Sequence, residues 1–175
     1  MSHMKRRPKR TFLVFLVALA AGVALHFVYE LLPNVVTALL APVQESLWEH
    51  VKLVYWPLLC AGLFLTRGEG KEAKGPWALA ILIAAAGVLG LGYLHHIVLG
   101  GEAMAVDVGI YVLMMALAFV LARVLDLPAI RERAEALMLL ALALGGALVL
   151  FTFLPPDWVL FMDLTRANTW STIPY

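Results

Sequence analysis

Charge is scarce in this sequence. Of 175 residues only 14% are Asp, Glu, Lys or Arg, and 63% are hydrophobic; a soluble domain carries about 25% charged and about 45–50% apolar residues. The shortage excludes an ordinary soluble domain and points to a polytopic membrane protein, one bundle with no separate soluble domain. Side-chain amides are scarcer still: Asn34, Asn168 and Gln44 are the full set, a weak sign of a thermophile or a GC-rich genome. Cys60 is the single cysteine, so no intramolecular disulfide can form. There is no glycine-rich phosphate loop, no CxxC, no HExxH and no GxSxG, which removes the motif-borne chemistries. Nothing in the basic residues suggests a nucleic-acid partner.

What is present is a series of apolar runs. About 20 apolar residues cross about 30 Å of hydrocarbon. Residues 11–32, 77–98 and 104–125 fit, and 137–154 closes on Pro155-Pro156. The run at 53–66 is cleanly apolar for only 14 residues, about 21 Å of helix and too short to span. Full length requires that helix to begin near Leu47. The expected fold is therefore all-α: an integral membrane bundle of five transmembrane helices over 11–154. Residues 1–10, opening on "MSHM" (which looks like a cloning scar before a native start at Met4), are basic, and 155–175 form a tail.

Basic residues orient the bundle. Eleven of the 13 Lys and Arg fall before the first run, between the second and third, or between the fourth and fifth; Lys52 and Arg166 are the exceptions. The positive-inside rule makes that side cytoplasmic, with the N-terminus inside and the C-terminus extracytoplasmic. The other side then collects Glu30, Glu45, Glu49, Glu102, Asp107, Asp157 and Asp163, with His26, His50, His95 and His96. That outer face is the candidate site.

His26 and Glu30 are four apart on one helix face. They suit a ligand or proton-transfer pair; the plainer alternative is a neutral histidine bonded to a neighbouring helix with Glu30 at the headgroups. In "PVQESLWEHVKLVYW", residues 42–56, Glu45/Glu49 and Ser46/His50 are spaced i,i+4, and Glu49 can pair with Lys52 at i,i+3. Pro42 and Glu45 suit a helix start, and Trp48 and Trp56 suit interfacial anchoring. The span length nonetheless submerges Glu49, His50 and Lys52, so these need partners on other helices, unless Lys52 snorkels outward. On an α-helix His95 and His96 are about 100° apart, so at most one should face a shared centre. Asp107 is either a first-turn charge favoured by the helix dipole or a site carboxylate. Gly87, Gly90, Gly92 and Gly145-Gly146 suit close helix packing.

Three blocks, "LHFVYELLPN", "APVQESLWEHVKLVYWPLL" and "FTFLPPDWVLFMD", together resemble a family of small, uncharacterised prokaryotic multi-pass membrane proteins. The matching positions include His26, Tyr29, Glu30, Glu45, Ser46, Trp48, Glu49, His50, Lys52, Asp107 and Asp163, and "ESLWEHVKL" is the most specific part. Gln44 stands where the family has asparagine, the tail after Asp163 departs from the family ending, and His95 and His96 have no counterpart. The resemblance implies location in a prokaryotic cytoplasmic membrane and makes the outer polar block characteristic; it supplies no activity. Ser46-x3-His50, Glu30-x3-Asn34 and Asp107 are also loosely similar to the ceramidase-like membrane hydrolases, but the HxxxH pair and seven spans of those proteins are missing.

Three function classes stay open. In a metal-dependent hydrolase, His50, His26 and Glu30, with His95 or His96, would hold Zn²⁺, and Glu49, Glu45 and Ser46 would do the chemistry on a lipid or lipid-linked substrate from the outer leaflet. In a binding or transport protein, the same cluster would take a proton, a cation or another small polar ligand. Five spans without an inverted repeat would then call for a homo-oligomer. In a structural protein the polar groups, Lys52 among them, would form a closed network without ligand. Bis-histidine haem ligation is a minor fourth option.

Overall fold

The computed structural model describes residues 8–165; Lys5, Arg6, Arg7, Arg166 and the end of the tail lie outside them. The described residues form helices joined by short connections: α1 (Pro8–Leu31), α2 (Val35–Leu40), α3 (Leu47–Leu65), α4 (Gly75–Tyr93), α5 (Met104–Val124), α6 (Pro128–Glu132) and α7 (Ala134–Phe153). A 3-10 turn, Lys71–Lys74, leads into α4, and a π-helical turn, Leu94–Val98, ends it. Four segments are long and apolar enough to cross a membrane: α1, the stretch Lys71–Val98 containing α4, α5 and α7. α3 has 19 residues but opens on Glu49, His50 and Lys52, which dilute its apolar character.

Local chemistry sets the ends. Pro33 disfavours helical backbone at Leu32, and α1 stops at Leu31. Asn34 then caps α2: its Oδ1 accepts from the N–H groups of Val36 at 2.9 Å and Thr37 at 3.1 Å, and Thr37 Oγ1 accepts from Asn34 N–H at 3.2 Å. This is a reciprocal capping box. Ser46 caps α3 through Glu49 N–H at 3.3 Å, so the helix begins at Leu47, where the span-length argument puts it.

α3 is the axis of the bundle. It packs against α1, α4, α5 and α7, and 12 of its 19 residues are buried, against two of the 24 in α1. Two contacts fix its position. Tyr55, 1% exposed, donates its hydroxyl to the Ala141 carbonyl on α7 at 2.9 Å, and its ring tip occupies the space a β-carbon on Gly145 would need. Pro57 lacks an N–H and so leaves the Leu53 carbonyl without its helical donor. Gly22 of α1 lies against that carbonyl and against the Tyr111 hydroxyl, which donates to the Leu19 carbonyl at 2.7 Å. Of the other glycines expected at packing positions, Gly87 meets Met114 and Gly92 meets Leu47, whereas Gly90 and Gly146 face open space.

The two ends of the bundle differ. One gathers the basic loops: Arg10 lies over the Phe64 ring at 4.8 Å, Arg131 pairs with Asp126 at 2.7 and 3.1 Å, and Lys71 reaches Glu135 at 3.6 Å. The Asp126 carboxylate holds the Arg131 guanidinium above its ordinary value. The other end gathers the histidines.

Candidate metal centre at the histidine end

The block at residues 42–56 splits into two constellations. Its sealed part is Glu49 with Lys52, 2% and 0% exposed. Lys52 Nζ donates to Glu49 Oε2 at 2.7 Å and to the Ala38 and Ala41 carbonyls at 2.8 and 3.2 Å. Three N–H bonds meet three acceptors, so the ammonium is fully satisfied and its charge sits at the C-terminal end of α2, where a cation is favoured. Lys52 thus points inward to α2 and does not snorkel outward. Glu49 also accepts from the Val43 N–H at 2.9 Å and from the Thr152 hydroxyl at 3.1 Å. The pair ties the 42–46 segment, α2 and α7 to α3.

Its open part is Glu45 and His50, joined by His26 from α1. The sequence spacing stacks Glu45 above Glu49, but Ser46 is the cap, so Glu45 precedes the helix and swings toward the histidines. Glu45 Oε2 is 3.2 Å from His50 Nε2, and Glu45 Oε1 is 3.8 Å from His26 Nε2. The two imidazole rings lie 5.6 Å apart. One candidate ligand atom from each of the three residues falls within 4.8 Å of the others. Their side chains are 32%, 44% and 27% exposed for His26, Glu45 and His50, so a solute can reach them.

The hydrogen bonds define the charge. His50 Nδ1 is 2.7 Å from the Ser46 carbonyl oxygen, which can only accept, so Nδ1 carries the proton. Ser46 therefore supports His50 through its backbone, and its side chain, 0% exposed, is the helix cap. His50 Nε2 then presents a lone pair to a carboxylate, an arrangement that needs a positive species between them, a proton or a metal ion. A ring N–H held by a backbone carbonyl is the usual outer support of a metal-bound histidine. The neighbouring His50 ring also holds the Glu45 carboxyl below the ordinary carboxylate range. His26 Nδ1 is shut off from solvent and has no partner among the described residues.

The remaining candidates fall outside this group. Glu30 is exposed. Asp107, in the first turn of α5, has its Oδ1 2.8 Å from His96 Nε2, and the tilted ring of His95 lies beside that of His96 with ring centres 4.7 Å apart. Both histidines thus share a centre with Asp107, contrary to the 100° expectation. The reason is the π-helical turn: the Leu99 N–H bonds to the Leu94 carbonyl five residues back, at 2.9 Å, which widens the turn and lessens the divergence of neighbours.

The tail closes over this end. Phe161, 9% exposed, packs on Trp48 and Phe151, with ring centres at 5.0 and 5.5 Å. Gln44 Nε2 donates to the Phe161 carbonyl at 2.8 Å, and the Leu164 N–H donates to the Glu45 carbonyl at 2.9 Å. The apolar "WVLF" in a polar tail is the one sequence feature that matches this docking.

No curated protein and no solved structure matches the chain. A family model described as "Family of unknown function" matches residues 1–169. The blocks that characterise the sequence, 44–52 and 155–163, thus meet in space at the histidine end, and the chain belongs to the Family of unknown function (DUF6512).

Proposed function

We propose that this is a five-span protein of a prokaryotic cytoplasmic membrane and a metal-dependent hydrolase of lipid or lipid-linked esters. α3 is the fifth span, with its histidine end at the outer leaflet and the basic loops cytoplasmic. One observation carries the reading: His26, Glu45 and His50 converge from two chain segments with ligand atoms within 4.8 Å, partly open to solvent. Tetrahedral Zn²⁺, with bonds of about 2.0–2.1 Å, sets its ligand atoms about 3.3 Å apart. The 3.2 Å between Glu45 Oε2 and His50 Nε2 is close to that, while the 3.8 Å contact of His26 Nε2 is with the other carboxylate oxygen. Three protein ligands leave a fourth position for water, the pattern of catalytic sites.

His26, Glu45 and His50 would hold the ion, which would supply an activated water and polarise an ester carbonyl. The Glu45 oxygen not used as a ligand would take a proton from that water and return it to the departing alcohol. The lipid side of the substrate rests on exposed apolar residues at the same end: Leu31, Val35, Val36, Leu99 and Met104. Glu49, sealed against Lys52, is read as structural.

The test is metal analysis of the purified protein beside His50→Ala, with release of fatty acid from ester-lipid vesicles before and after chelation. Expected are stoichiometric zinc, its depletion in the variant, and release that chelation abolishes. Metal content equal in both proteins overturns the site; chelator-insensitive release overturns the mechanism.

A further inference from the structure

The second histidine group is built with care that the first site does not require. The π-helical turn ends in a C-cap where Gly100 takes φ 63°, a left-handed conformation that favours glycine. The Gly101 N–H then donates to the His95 carbonyl at 2.8 Å. Gly101 itself lies so close to the His95 ring that a β-carbon there would collide with it. Its carbonyl accepts from His96 Nδ1 at 2.9 Å. Two glycines and a rare turn thus set two adjacent imidazoles beside Asp107.

The Gly101 carbonyl can only accept, so His96 Nδ1 bears a proton and Nε2 is the nitrogen offered to the Asp107 carboxylate, 2.8 Å away. A neutral imidazole has one N–H and cannot satisfy both. A second cation is needed at Nε2. A proton would bind His96 to Asp107 and leave His95 without a role, although His95 Nε2 is shut off from solvent and unpartnered among the described residues. A metal ion engages a nitrogen of both rings and a carboxylate oxygen, which lie within 4.8 Å of one another. His96 is 13% exposed and Asp107 37%, so the group is supported on one side and reachable from the other.

We propose that His95, His96 and Asp107 form a second divalent-metal site, of the nitrogen-and-carboxylate type that takes Zn²⁺ or Co²⁺, distinct from the His26–Glu45–His50 site. It does not depend on the first site being filled. On loading, the ion displaces the His96 Nε2 proton, and the Asp107 oxygen moves to make room for it.

The experiment loads the full-length chelated protein in detergent with Co²⁺ and counts bound ions per chain, alongside His95→Ala, Asp107→Asn and His50→Ala. The visible absorption of bound cobalt reports each site. Expected are two ions in the wild type and one in each variant, with different residual spectra for His50→Ala and Asp107→Asn. Two ions retained in Asp107→Asn and His95→Ala overturn the second site. A single wild-type ion, lost only in His50→Ala, also overturns it and leaves the first standing; a single ion lost only in the other two variants supports the second site and removes the first. Helical circular dichroism checks each fold. Asp107→Asn carries the test where His95→Ala unfolds, because the amide keeps the side chain's shape.

Discussion

Within one turn of α3, the same sequence block builds two polar groups of opposite kind. Glu49 and Lys52 are sealed, and every N–H of the ammonium has an acceptor. Glu45, His50 and His26 are partly open, and their geometry is one positive species short of complete. The difference separates two reasons for ionisable groups to sit at a membrane-spanning bundle's end. A satisfied pair fixes where elements lie: here α2, the 42–46 segment and α7 around α3. An unsatisfied group reserves a place for something that arrives later. Both kinds look alike in sequence, since both are Glu, His and Lys at helical spacing.

The sealed pair is the place to break that contrast with the largest effect. Lys52→Met leaves the Glu49 carboxylate buried with no countercharge, a loss of about 3–5 kcal/mol. Thermal unfolding in detergent should show a large drop, while any metal bound at His50 stays. Glu49→Gln combined with Lys52→Met removes both charges and should recover a large part of the loss. A single variant as stable as the wild type would show that the pair does not hold the fold.

A smaller change sharpens the same division. Thr152 offers one hydroxyl proton to two acceptors, Glu49 Oε1 at 3.1 Å and the Leu148 carbonyl at 2.8 Å. Thr152→Val keeps the shape and removes the donor, at a cost near the lower end of the about 1.5–3 kcal/mol typical of hydrogen bonds to charged groups. Chemical unfolding measures it. His26→Ala, on the open side, should cost less stability than Thr152→Val while depleting metal. The reverse order would place the structural role on the histidines.

Sequence arithmetic was good at what depends on one helix. A 14-residue apolar run could not span, so α3 had to begin near Leu47, and it does. The i,i+3 spacing foretold Glu49 with Lys52. It was poor where a partner lies on another element or where the helix changes type. The Lys52 ammonium turns inward because α2 offers carbonyls, and α2 itself was signalled by Pro33, Asn34 and Thr37, a capping box that hydropathy counting passes over. Glu45 leaves the helical register because Ser46, one residue later, is the better cap. The π-helical turn under His95 and His96 shifts hydrogen bonds by one residue without any change in apolar pattern, so nothing in the sequence disclosed that both rings meet Asp107.

The smallest expected effect is acid sensitivity of the open group alone. The neighbouring His50 ring holds the Glu45 carboxyl below the ordinary carboxylate value of 4.5. A carboxyl whose folded value is depressed binds protons more readily when unfolded. Its contribution to stability is therefore complete above about pH 4.5 and is lost as pH falls through the lowered folded value. Glu45 is 44% exposed, so solvent screens the interaction and the step is small. Unfolding of the chelated protein followed from pH 6 to pH 3 should show this loss, about as expected for one exposed pair. Glu45→Gln should remove the step, because the amide cannot titrate. An unchanged step in Glu45→Gln would mean that protons reach some other carboxylate first, and the line between the open and the sealed groups would have to be redrawn.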